Sequence, residues 1–591
     1  MKSSAHEARR AVSGRTSSSS GLSSRVRVAL DRMLEWSLLL ALSIVLLPSI
    51  AVLLYVSFST GSPGTPGATF SLNAWQSLLG GPGLATIGNT LLVSALAVVF
   101  AVPLGFIFAW FEVQTNMPGR SFMAKFLVVP LVFSPLLTTI AWIVLAAPRS
   151  GAINIIARKH LGIETLFNVY TLYGMVFVTT LYFVPVAYMS IRSSLAAIDG
   201  TIFEAARIAG CRPPTLVARI LIPIIRPALI SASIVVFSMS VGMVTVVTLL
   251  GATARIDTLQ ASLFMSVAST PADIPKASAI GSLLLVVSVA GVYINRRFLR
   301  RPSRFATVTG RGFRAMQFDL GQWRFAAAFA MFLFVLLSSI LPYLALAYGA
   351  FVPFITSNLD FSRLGLQNFR EFIDNPLMVT GVSNTLILVL GGALVTTMLG
   401  TIVGFLIRRR AGNVSRALET LSFLPLALPH LSFALGLLFF VLSIPAAREH
   451  LYGTLLLLYI AQAVTFLPLG VQIVSSGVLQ LGKELEDAAR IAGAPASARI
   501  VRILLPLLGP TLASAWTVLA LYALVEAGTG LFLYTAGSVT TAVNVFTKAM
   551  GGEPGLMYAG AFGLATFGLL ILIVGNYFFG LSRHFGGAAR A

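Results

Sequence analysis

Charge is what this chain lacks most. Only 10% of its 591 residues are Asp, Glu, Lys or Arg, while 57% are hydrophobic. Such a composition cannot clothe a soluble domain of this length, so most of the chain must lie in lipid. Acids are the scarcer sign, 20 against 41 basic residues. Cysteine is nearly absent: Cys211 stands alone, which excludes an internal disulfide framework. The five histidines (His6, His160, His430, His450 and His584) have no metal-ligand spacing, so no metal site is expected. No Gly-x4-Gly-Lys-Ser/Thr phrase occurs, so the chain has no phosphate loop for ATP, and no cofactor of its own is expected. Without a carboxylate pair, histidine cluster or nucleophile constellation, it does not read as an enzyme.

What is present is a series of long apolar runs. A spanning helix needs roughly 20 apolar residues, and twelve runs qualify. The first six lie near 36–58, 87–111, 122–147, 170–192, 224–250 and 276–298. The second six lie near 325–351, 382–407, 418–443, 452–475, 508–534 and 556–580. Backbone groups in lipid must pair within their own segment, so helices are expected. Pro130, Pro185, Pro425 and Pro468 fall inside these runs and predict kinks. Residues 1–35, Ser-rich and basic, read as a disordered tail that is not cleaved; 299–324 form a basic linker and 581–591 a short tail.

The net charge of +21 sits between the apolar runs, which points to membrane topology rather than nucleic acid. With the N-terminus inside, the inner segments hold 32 of the 41 Lys and Arg residues. The positive-inside rule then places both termini and the linker in the cytosol.

One polar phrase occurs twice. Residues 204–223 read EAARIAGCRPPTLVARILIP, and 487–506 read DAARIAGAPASARIVRILLP. Ala205 to Gly210 and Ala488 to Gly493 are identical, and each copy follows the fourth run of its half. Asn89-Thr90-Leu91 recurs at Asn384-Thr385-Leu386, and Pro185 recurs at Pro468. The expected fold class is therefore an all-α polytopic membrane protein of two parallel six-helix repeats, 36–298 and 325–580. Thr201-x-x-Glu204 has the form of a capping box. Glu204 can pair with Arg207, and Asp487 with Arg490. Gly210 and Gly493 suit a helix stop, and the alanines leave a smooth face that a partner can approach.

Acid-Ala-Ala-x3-Gly-x9-Ile-x-x-Pro resembles the EAA motif of type I ABC-importer permeases. The likeness covers both halves. It implies that Glu204, Ala205, Ala206, Arg207 and Gly210 dock one copy of a cytosolic ATPase. Asp487, Ala488, Ala489, Arg490 and Gly493 would dock the other, with Asp487 a departure from the usual Glu. It also implies that the partner subunits bind and hydrolyse ATP, that an extracytoplasmic binding protein delivers the solute, and that one fused chain serves each complex in a bacterial inner membrane. The fusion and the linker, Phe305 to Arg314 followed by Asp319-Leu320-Gly321 and Trp323-Arg324, resemble the ferric-iron type (Fbp/Sfu/Afu). Relatives of that type also carry phosphonates, sugar phosphates, thiamine or polyamines. A departure is the run Ser240 to Thr248, which holds no acid.

Two further residues are candidates for the translocation path. Glu526 is expected to be the one acid well inside a span, where a carboxylate faces a cavity or a partner. His430 follows Pro429 and could line the same path. A secondary transporter with two six-helix halves also accounts for the spans, but it does not require a polar phrase duplicated after span four.

Overall fold

A computed structural model describes residues 32–61, 65, 67–198, 201–211, 213–299, 318–409, 412–481, 484, 488–489, 491 and 500–579. Among these residues it is helical, with two isolated bridges and no strand. Ten helices are long and apolar enough to cross a membrane, and two bent pairs bring the total to as many as twelve.

The first half holds α1 (Arg32–Val56), α2 (Gly81–Gln114), α3 (Pro130–Ala146), α4 (Leu172–Ala196), α5 (Thr201–Ile208), α6 (Ile222–Val241), α7 (Thr245–Ala254), α8 (Leu259–Ala268) and α9 (Ile274–Leu299). The second holds α10 (Trp323–Phe351), α11 (Pro376–Arg408), α12 (Asn413–Phe423), α13 (His430–Ser443), α14 (Leu455–Gln480), α15 (Leu505–Val525), α16 (Gly530–Leu533), α17 (Thr541–Gly551) and α18 (Pro554–Phe579).

The four prolines singled out above do two different things. Pro185 and Pro468 lie inside α4 and α14. Pro130 and Pro425 instead sit at breaks: the Arg120–Phe126 helix meets α3 at 51°, and the segment Asn413–Ala427 meets α13 at 113°. A proline lacks the N–H and clashes with the preceding turn, so it suits the start of a new helix better than the middle of an old one. The expected runs 224–250 and 508–534 are also broken. α6 stops at Val241 and α15 at Val525, and short helices resume at Thr245 and Gly530.

The repeat is visible in the packing. α2 lies along α4, and α11 along α14, the two most extensive helix contacts among the described residues. Both seams close on glycine. A Cβ on Gly105 would come within 2.7 Å of Ala187 Cβ and Tyr188 N, and one on Gly400 within 2.9 Å of the Gly470 carbonyl carbon. Small residues let helix backbones approach where lipid supplies no hydrophobic drive. Gly105 and Gly400 keep the 295-residue offset of Asn89 and Asn384; Ala187 and Gly470 keep the 283-residue offset of the duplicated phrase.

The halves are not side-by-side blocks. α1 packs on α13 of the other half: Leu42 and Leu46 share a core with Ala434 and Leu437, and a Cβ on Gly436 would collide with the Ser49 carbonyl. α10 in turn lies on α3, with Phe133 edge-on to Tyr343 at 6.1 Å between ring centroids. Each half thus lays its first span against the third of the other.

Candidate functional site

Among the described residues, three polar places in this apolar bundle bear on function. The first is the duplicated phrase. α5 begins at Thr201 and buries Phe203 and Ala206 against the bundle, while Glu204 and Ala205 face outward. Ile208 is 89% exposed, and Ile491, its counterpart in the second copy, is 87% exposed. Among the described residues, the same isoleucine is thus left bare in both copies. The helix ends at Gly210, whose φ of +78° is the left-handed region that glycine enters without penalty. Cys211 N–H donates to the Ala206 carbonyl at 3.0 Å, the six-to-one bond of a Schellman stop. Pro213 then opens the next helical segment. Of the second copy, Ala488 is exposed and Ala489 half-buried; Asp487, Arg490 and Gly493 lie outside the described residues, as does the side chain of Arg207.

The second place joins the two path candidates. Glu526 is not inside a helix, as the apolar run suggested, but immediately after α15, in the break before α16. His430 opens α13 after the 113° bend. The two breaks bring His430 Nδ1 within 3.2 Å of Glu526 Oε2. The carboxylate also accepts from the Thr529 N–H at 2.8 Å. Its side chain is 10% exposed, and that of the imidazole 42%. Phe466 stands edge-on to His430 at 5.9 Å and near Tyr522 at 5.5 Å. Phe466 also walls a small pocket with Thr396, Tyr459, Gln462 and Ala523. This break abuts the first half, because a Cβ on Gly242 would lie 3.7 Å from Pro429 Cβ.

The third place was not foreseen. The second apolar run is expected to end near residue 111. Helix α2 continues to Gln114 and buries Glu112. Glu526 is therefore not the only acid within the bundle. Arg192 on α4 grips Glu112 with both arms, Nε to Oε2 at 2.7 Å and Nη2 to Oε1 at 3.0 Å, and the Tyr188 hydroxyl donates to Oε2. A bidentate, hydrogen-bonded pair is how a buried carboxylate stays tolerable. Tyr188 and Arg192 are four residues apart and so share a helix face; that spacing beside an unexplained acid was the available signal.

Comparison with known proteins follows the same lines. Residues 397–583 match the family described as binding-protein-dependent transport system inner membrane component. The ferric transport system permease protein FbpB of Actinobacillus pleuropneumoniae is 24% identical over 88% of this chain and 74% of its own length. FbpB 1 of Haemophilus influenzae is 24% identical over 79% of this chain and 72% of its own. The molybdenum transport system permease protein ModB of Escherichia coli is 29% identical, over 26% of this chain and 65% of its own. The chain is a multi-pass membrane protein of two repeated halves, similar over most of its length to the ferric transport system permeases.

Proposed function

We propose that this chain is the permease subunit of an ATP-driven importer fed by a binding protein, and that it moves a small solute by alternating access. One observation carries the reading: the duplicated phrase forms an outward-facing helix that ends on Gly210 and displays Ile208, with Ile491 equally bare in the other copy. A secondary transporter has no use for two such surfaces. In this reading Glu204 to Gly210 docks one ATPase copy, and Asp487 to Gly493 the other. Lys and Arg between the spans favour a cytosolic position for both phrases and both termini. Closure of the ATPase pair moves α5 and its counterpart together. Because each half leans its first span on the other, that motion reorients the halves against each other and opens the cavity outward.

In this reading His430 and Glu526 line the path, close to the breaks after Val241 and Val525. Ferric iron is the favoured cargo, on the likeness to two FbpB proteins over most of the chain. Phosphonate, sugar phosphate, thiamine and polyamine are the alternatives within the same transporter class. Reconstitution with the cognate ATPase and binding protein tests this. Ferric-loaded binding protein should stimulate ATP hydrolysis and drive uptake. Stimulation by another ligand alone would change the cargo, and failure of any ATPase to associate would overturn the permease reading.

A further inference from the structure

The last residues of the inter-half linker are fastened to the first half. Phe318 N–H donates to the Gln114 carbonyl at 2.6 Å, and Asn116 N–H donates to the Phe318 carbonyl at 3.1 Å, forming a short parallel bridge. Asn116 Nδ2 donates to Asp319 Oδ1 at 2.6 Å, while Leu320 N–H donates to Asn116 Oδ1 at 3.0 Å. Four hydrogen bonds therefore tie residues 318–320 to the end of α2. The Phe318 ring is 7% exposed. It stands edge-on to Phe203 of α5 at 5.5 Å and tilted to Trp110 of α2 at 6.0 Å. Phe203, itself fully buried, directly precedes Glu204. Two residues after Gly321, whose φ is +55°, α10 begins, the span that leans on α3.

We propose that Phe318 is a positioning residue for coupling: a wedge that sets the angle of α5 and carries its movement into α2 and α10. Aromatic edge contacts are directional, and a ring held on two sides leaves α5 few orientations. The linker occurs once in the sequence, and the support it gives is to the first of the two duplicated phrases. The inference rests on the reading of α5 as the ATPase-docking helix.

The test uses the full permease with its ATPase and binding protein in nanodiscs. Phe318→Ala should leave ATPase co-purification as in the parent, but reduce stimulation by loaded binding protein to near the basal rate. Phe318→Trp should restore it. The double change Phe203→Ala, Phe318→Ala should cost no more than either alone, because the two rings act as one unit. A spin label at Ile208→Cys, in a Cys211→Ser background without ATPase, should gain mobility in Phe318→Ala. If Phe318→Ala does not accumulate, Phe318→Leu serves in its place. Unchanged stimulation, an unmoved label or additive single effects would each overturn the wedge. Loss of ATPase association from the parent itself would instead overturn the docking reading, with the spin label still testing the wedge.

Discussion

The two halves share a backbone and differ in where they place polar chemistry. By the 295- and 283-residue offsets, Glu112, Tyr188 and Arg192 of the first half correspond to Ile407, Val471 and Ser475 of the second. Glu526 corresponds to Met243, and His430 to Pro135. Both seams close on glycine, Gly105 and Gly400, and both fifth spans break at the same point. Helix contact was therefore kept through duplication while buried charge was not. The first half holds its ion pair at the end of the bundle that carries α5, beside the linker. The second holds its carboxylate at the break facing the other half. One half uses its buried charge to brace; in the proposed reading the other uses it to line a path.

The largest effect is expected where the first half braces. Glu112→Leu leaves Arg192 and Tyr188 with nothing to bind, a loss of about 3–5 kcal/mol for a buried pair stripped of one partner. Thermal unfolding in detergent should show a clear drop, and Glu112→Leu with Arg192→Met should recover most of it. Ser475→Ala, at the corresponding place in the second half, should change little. Equal drops for the two would break the comparison.

A smaller effect on stability, but a larger one on transport, is expected at the path. Glu526→Gln weakens a charge-assisted contact to His430 and should slow uptake about tenfold, the scale of one hydrogen bond to a charged group. ATPase association should persist. Met243→Leu, its counterpart, should transport as the parent does. Uptake assays with both variants decide whether the path is as one-sided as the structure.

Smaller again is Gly210→Ala. A side chain in the left-handed region costs about 1 kcal/mol. It should fray the end of α5 locally, seen as faster hydrogen exchange at Cys211, whose N–H closes the Schellman stop.

The least effect concerns Asp319. The Gly321 backbone N–H, and then the Asn116 amide, hold its carboxyl below the usual value. A depressed carboxyl stabilises the linker latch above its unfolded pKa of about 3.9, and that contribution fades as pH falls through the lower folded value. Spin-label mobility near residue 319 should be flat from neutral pH to about pH 4, by the same reference value, and rise only below. A midpoint near neutrality would contradict this.

Much of the architecture was legible in the sequence because lipid demands long apolar helices and duplication leaves matched fragments. The repeats, the glycine stop after α5 and the candidates His430 and Glu526 all came from that reading. Pairing across distance did not. His430 and Glu526 lie 96 residues apart in sequence and meet only because two spans are broken. Glu112 lies just beyond the expected run, and hydropathy cannot see Arg192 on another helix. The crossing of α1 and α10 onto the opposite halves left no mark in periodicity, since a lipid-facing stripe and a helix-facing stripe are both apolar.

The duplicated phrase, as a pair of docking surfaces, is what most needs testing. The direct measurement is ATPase binding and solute uptake by the permease carrying Glu204→Lys and Asp487→Lys together, compared with each change alone and with the parent. The parent should hold two ATPase copies per chain. The double variant should insert and fold as the parent does, yet lose both ATPase copies and all uptake, because the charge at both docking faces is reversed. Normal uptake by the double variant would contradict the account.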